Sequence, residues 1–254
     1  MDKLSNEDRL IRYMDCAKLL HLIHNKKLYF PRADCFDDKH EGYYTKQVYD
    51  ISKSIFVEVD GKSSNEGLLE HTKRIRESAY VSCWMKSQHE SMAHWEIYGG
   101  KNSVAIVTSV EELRNQINQA SANEGILSLI KREIHEVRYI DHNEIDDELA
   151  KELLSDSINP LKMKNIAFKY EDEVRVIFNH LHQPLAKSDF NKKLGKGFDI
   201  DIKPKELIKS IIISPKADKW FFSLVHDLME SYKLSDLVKW SKLHLTPFEA
   251  SVEK

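Results

Sequence analysis

The residue types best suited to chemistry are Arg12, Ser82 and the run Glu171-Asp172-Glu173-Val174-Arg175. Along an extended chain alternate side chains point to opposite faces. Read that way, Val174, Val176 and Phe178 share one face, and Glu171, Glu173 and Arg175 share the other. This describes either a half-buried strand with a functional polar row or an edge strand with a solvated charged face. Arg12 sits inside the apolar run Leu10-Ile11-Arg12-Tyr13-Met14, where a charge needs a partner or a ligand. Its planar fork suits a phosphate or a carboxylate. An ion pair with Glu171 or Glu173 that only holds the fold is the competing reading.

Other constellations carry less. His89 and His94 stand five apart, so they diverge around a helix and do not form the His-Glu-x-x-His zinc signature. His21 and His24 can share a face, but no third ligand accompanies them. Asp199-Ile200-Asp201-Ile202-Lys203 is similar to the acid-and-lysine end of a metal-dependent nuclease site. Lys192-Lys193-Leu194-Gly195-Lys196 is a basic cluster in an expected loop, where it can touch a phosphate or simply be solvated. Phosphate-binding glycine loops, the Gly-x-Ser-x-Gly elbow and cysteine-protease motifs are absent from the sequence. No metal is expected.

These residues must be positioned by regular elements. Strands are expected at 10–14, 27–30, 80–84, 103–109, 173–178, 198–202 and 210–214, with another ending at 137–140. Asp15 reads as the cap of a helix carrying Ala17, Leu20 and Ile23 on one stripe. Residues 33–42 read as a loop. Residues 43–78 read as mainly helical, broken near Asp60-Gly61. Further helices are expected at 90–98, closed by Gly99-Gly100, and at 110–122, 144–154 and 218–232. The last carries Trp220, Phe221, Leu224, Leu228 and Tyr232 as a core-facing stripe. Ser103–Ser109 is apolar on both faces, which predicts a strand covered on both sides. Strands outnumber the helices available to cross between them. An α+β class with a mixed or antiparallel sheet and flanking helices therefore fits better than a doubly wound sheet.

The 254 residues contain few glycines or prolines and nothing that reads as a linker, so one domain spanning 1–254 is expected. Net charge is −3 with 31% charged residues, unlike a protein that grips nucleic acid mainly through phosphates. The start, Met1 to Asp8, is polar and acidic, and no apolar run approaches the roughly 18 residues needed to span a bilayer. Three widely spaced cysteines argue against a disulfide framework. A cytoplasmic location without membrane contact is the expectation.

The order of these pieces resembles a bacterial family known as domain of unknown function 2971. The pieces are Ile11-Arg12-Tyr13-Met14, Leu28-Tyr29-Phe30 with Phe36-Asp37-Asp38 and Glu41-Gly42, Val81-Ser82-Cys83-Trp84, and Glu90-Ser91-Met92 with Trp95 and Tyr98. Glu171 to Arg175 and Ile211 to Pro215 complete the order. That arrangement is similar in turn to ADP-ribosyltransferases, including those that modify nucleic acids. In them an arginine lies on a first strand, a serine on a second and a Glu-x-Glu pair before a later strand. The resemblance implies an NAD-dependent transferase or NAD hydrolase, acting as a toxin or defence effector, with NAD as substrate and a nucleic acid or protein as acceptor. It implies catalysis by Glu173 and Glu171. It assigns NAD binding to Arg12, Tyr13, Ser82, Trp84, Trp95, Tyr98 and Arg175. Two departures stand out: Val-Ser-Cys-Trp lacks the Ser-Thr-Ser run of many such enzymes, and Arg175 can neutralise Glu173. A non-catalytic nucleotide- or protein-binding module is the alternative, and a metal-dependent nuclease the third reading.

Overall fold

A computed structural model describes residues 4–38, 41–55, 64–123, 130–181 and 194–244. Lys192 and Lys193 of the basic cluster, and the expected break at Asp60-Gly61, lie outside the described residues.

In chain order the elements are β1 (Arg9–Asp15), α1 (Cys16–His24), β2 (Lys27–Pro31), α2 (Lys46–Ile55), α3 (Ser64–Ser78) and β3 (Ala79–Lys86). Next come α4 (Met92–His94) with a π-turn (Trp95–Gly99), β4 (Ser103–Ser109), α5 (Val110–Asn123), β5 (Lys131–Glu136) and β6 (Arg138–Ile140). Then follow α6 (Asp147–Ser155), α7 (Asn159–Lys162), β7 (Met163–Asn165), a 3-10 turn (Ile166–Glu171) and β8 (Glu173–Asn179). The chain continues through β9 (Gly197–Asp201), α8 (Pro204–Leu207), β10 (Ser210–Ile213), α9 (Lys219–Ser231) and β11 (Val238–Trp240).

Seven strands follow the order β11-β10-β4-β1-β3-β8-β5. Antiparallel pairs and the parallel β10–β11 pair coexist, so the sheet is mixed and the class α+β. The chain divides into two compact units. The first comprises Met1–Tyr29, Trp84–Glu124 and Asp199–Lys254, and the second Phe30–Cys83 and Gly125–Phe198.

In the first unit β1 pairs with β4 along its whole length, from Arg9↔Ser109 to Asp15↔Ser103. All seven residues of β4 are buried, as its apolar faces required. Ile11, Tyr13, Met85, Trp95, Ala105, Val107 and Ile212 pack into one cluster. Each fully buried side chain of this size contributes roughly 1.5–3 kcal/mol. Asp15 caps α1 by accepting from the Lys18 amide at 2.8 Å. Two stripes differ from the expectation. In α1 the buried residues are Leu19, Leu22 and Ile23, and Ala17 is exposed. In α9 they are Phe221, Val225 and Met229, whereas Trp220 and Leu224 are 56% and 52% exposed. Apolar residues surround most of that helix, so pattern alone could not say which side packs. The expected helix at 90–98 is the short α4 followed by the π-turn, with Ser91 accepting from the His94 amide.

In the second unit β5 runs antiparallel to β8, with Ile134 opposite Val176. The short parallel pair β6–β7 sets Tyr139 opposite Lys164. Two apolar clusters support these strands. One gathers Tyr44, Val48, Ile140, Ile145, Ala150, Leu153 and Met163, and the other Ala33, Ile75, Ala79, Val81, Leu161 and Ile177.

Candidate active site

The solvated edge strand is overturned. Every residue of β8 from Glu173 to Asn179 is buried, including the charged ones. Glu171 does not lie on the strand but ends the preceding 3-10 turn. Asp172 joins the two in a left-handed conformation, φ 40° and ψ 52°. Aspartate is one of the few side chains that tolerates this region. The turn lets Glu171 and Glu173 both enter the interior, leaving 4% and 6% of their surface exposed.

Arg175 is fully buried and saturated. Its Nε and Nη2 donate to the two Glu173 carboxylate oxygens at 2.9 and 2.8 Å. Nη1 donates to the Leu161 carbonyl at 2.8 Å, and Nη2 also reaches Glu41. Lys164 lies 2.6 Å from Glu171 and 3.8 Å from Glu173, with its ammonium over the Phe168 ring. The Tyr139 hydroxyl accepts from the Glu173 amide at 2.9 Å, and the Cys83 thiol donates to the Glu173 carboxylate.

Three carboxylates, Glu41, Glu171 and Glu173, thus meet two cations, Arg175 and Lys164. The surplus negative charge sits where desolvation penalises it. Burial pushes the Glu173 carboxyl up to about 7, and the neighbouring Glu171 adds to the rise, against the pull of Lys164 and the Cys83 thiol. The fork of Arg175 pulls the same way as Lys164, but its charge is shared with Glu41. Burial lowers Arg175 itself to about 9, against the charge of Asp38. For Lys164 burial is outweighed by Glu173 and Glu171, so its ammonium is held above the usual lysine value.

This network adjoins a cleft of about 330 Å³ in the same unit. Lys164 and Glu41 line it together with Asp38, Tyr43, His142 and Phe168, and Ile140, Leu153 and Met163 add apolar wall. A titratable pair with a displaced proton beside a cleft is a functional-site signal.

Of the residues singled out in the sequence, Glu171, Glu173, Arg175 and Ser82 belong to the second unit, where Ser82 is fully buried on β3. Arg12, Tyr13, Trp84, Trp95 and Tyr98 belong to the first. There Arg12 stacks 5.6 Å from the Trp84 ring centre. Tyr13 meets Trp95 edge-on at 4.8 Å, and its hydroxyl accepts from the Ser91 amide at 2.8 Å. Trp95 is buried and donates to Glu90 at 3.2 Å, which gives it a structural role; Tyr98 is 45% exposed. Burial pushes the Tyr13 phenol up to about 12. The nuclease-like residues separate: Asp199 meets His21 at 2.9 Å, Asp201 meets Lys27 at 2.7 Å, and Lys203 meets Glu206 at 2.9 Å. Lys164 and Tyr139 were missed in the sequence. They sit on three-residue strands too short to show alternation, and only the register Tyr139↔Lys164 sets them beside the carboxylates.

Residues 94–176 match the family model described as protein of unknown function (DUF2971). The resemblance therefore holds over about a third of the chain, a stretch that includes Glu171, Glu173, Arg175, Lys164 and Tyr139. No curated protein matches the chain. Among the described residues no helix is long and apolar enough to cross a membrane.

Proposed function

We propose that this chain is an NAD-dependent enzyme of the ADP-ribosyl type, a transferase or an NAD hydrolase, in which Glu173 and Glu171 are the catalytic carboxylates. The observation that carries this reading is the enclosed pair itself: two glutamates brought together by the left-handed Asp172, which with Glu41 outnumber the two cations Lys164 and Arg175. When the bond between nicotinamide and ribose breaks, its electron pair leaves with nicotinamide and positive charge develops on the ribose. A preorganised carboxylate in a low-dielectric site stabilises that charge. Glu173 supplies it, positioned by Arg175 and Tyr139. Glu171 takes the proton of the attacking hydroxyl or water as the new bond to the ribose forms. Consumption of NAD, or marking of a nucleic acid or protein, gives a toxin or defence effector.

One observation favours a second reading. Arg175 occupies both oxygens of Glu173, as in a brace that holds a strand, and a non-catalytic nucleotide-binding module would keep such a brace. Nicotinamide release and NAD⁺ binding by calorimetry separate the two, measured on wild type, Glu173→Gln and Glu171→Gln. Release lost in both variants while each still melts cooperatively supports the enzyme. NAD⁺ binding without release supports the binding module, and neither binding nor release removes both.

A further inference from the structure

Arg76 contrasts with Arg175. It lies in the last turn of α3 and is only 5% exposed, yet among the described residues no carboxylate stands within ion-pair distance of it. Its Nη2 makes one long contact, 3.4 Å to the Ala33 carbonyl, and its Nε has no partner. The remaining support is the face of the Tyr43 ring, 4.5 Å from the guanidinium carbon. A buried guanidinium held by a ring and one carbonyl is costly, because among the described residues its charge has no counter-ion.

The ring that covers Arg76 is also part of the cleft wall. Tyr43 and Gly42 both line it. Gly42 has φ +78°, and a Cβ there would come within 3.2 Å of the Arg76 stem and 2.9 Å of Leu161. Glycine thus lets the backbone of the cleft wall approach the Arg76 stem, and the half-buried Tyr43 ring covers the guanidinium. The other cleft residues define what could use the charge. Ile140, Leu153, Met163 and Phe168 offer an apolar wall, and the polar wall carries both signs, Asp38 and Glu41 with Lys164.

We propose that Arg76 is the anion anchor of this cleft and that the Tyr43 ring stands in for the ligand, swinging aside to admit the carboxylate of a small molecule with an apolar body. The carboxylate takes the two parallel hydrogen bonds of the guanidinium fork, and the apolar body packs on Ile140, Leu153 and Met163. A monocarboxylate fits better than a phosphate dianion, since its single charge matches one guanidinium and its apolar body matches the apolar wall. The inference does not rest on the NAD reading, because its test contains no NAD.

The test is calorimetric titration of the full chain with hexanoate, with hexanamide as the uncharged body and inorganic phosphate as the second anion. Wild type is expected to bind hexanoate at least about tenfold more tightly than hexanamide, and more tightly than phosphate; hexanoate at 100 times its Kd raises the melting temperature by about 5 °C. Arg76→Met brings the hexanoate-to-hexanamide ratio to one and melts no lower than wild type, because it removes an uncompensated buried charge. Tyr43→Ala tightens hexanoate binding. Three results overturn the proposal: equal or absent binding of acid and amide by wild type, a preference that survives Arg76→Met, or a phosphate response stronger than hexanoate.

Discussion

Strands β4 and β8 have seven residues each, and both are buried from end to end, yet they are built from opposite chemistry. β4 fills the first unit with Val104, Ala105, Ile106 and Val107, and its only polar side chains are the hydroxyls of Ser103, Thr108 and Ser109. β8 fills an equivalent place in the second unit but sets Glu173, Arg175 and Asn179 among its apolar residues. Replacing a buried ion network by apolar residues of similar volume is often neutral or stabilising. A strand that keeps such a network is a candidate for a role beyond packing. β4 is held by packing alone, and β8 by a buried ion network on which the proposed chemistry rests.

The largest expected effect breaks β8 at Arg175. Arg175→Ala leaves Glu173 and Glu41 buried without their cation and should lower stability by about 3–5 kcal/mol in urea denaturation. A loss below about 1 kcal/mol would mean that the network is not what holds the strand. On β4, Ile106→Ala removes only packing and should cost about 2–4 kcal/mol, with no change in pH dependence.

The strands should also part in their response to pH. Glu173 has a folded value of about 7 against an ordinary 4.5, so the folded protein binds the extra proton. Its contribution is fully present below pH 4.5 and is lost as pH rises through 7, about 3 kcal/mol for a shift of this size. Glu133, on the neighbouring β5, behaves oppositely. Burial raises its carboxyl, but Lys131, His135 and Lys162 outweigh that and hold it at about 2, so its contribution is present above pH 4.5 and lost as pH falls through 2. Urea midpoints between pH 4 and 8 should fall with rising pH in wild type. They should stay nearly flat over that range in Glu173→Gln.

The smallest effect sharpens the comparison at the entry to β8. Asp172→Ala keeps a β-carbon in the left-handed region but removes the local polar side chain that offsets it, and should cost about 1 kcal/mol. Asp172→Gly should be neutral or slightly stabilising in the same denaturation experiment.

β4 was fully legible because five consecutive apolar or β-branched side chains leave no face for solvent. The strand containing Val174, Val176 and Phe178 was also legible, but its burial was not: Glu and Arg in sequence look the same whether solvated or paired. The pairing depends on Glu41, which lies 134 residues from Arg175 in the chain, and on Lys164, which no periodicity marks. The buried side of α9 was illegible for a different reason. Its apolar residues run nearly around the helix, and only tertiary packing decides that Phe221 and Val225 turn inward while Trp220 stays out. Asp172 was within reach, since aspartate between two charged residues at a strand entry is a candidate for the left-handed turn it adopts.

The most direct test of the account is the pH profile of nicotinamide release from NAD⁺. If Glu173 stabilises the developing charge, it must be ionised, so release should rise about fivefold from pH 6 to 7, about tenfold from pH 6 to 8, and level off above 8, with the rise absent and the rate greatly reduced in Glu173→Gln. Release that ignores pH across this range, or that Glu173→Gln leaves unchanged, would contradict the assignment of chemistry to β8.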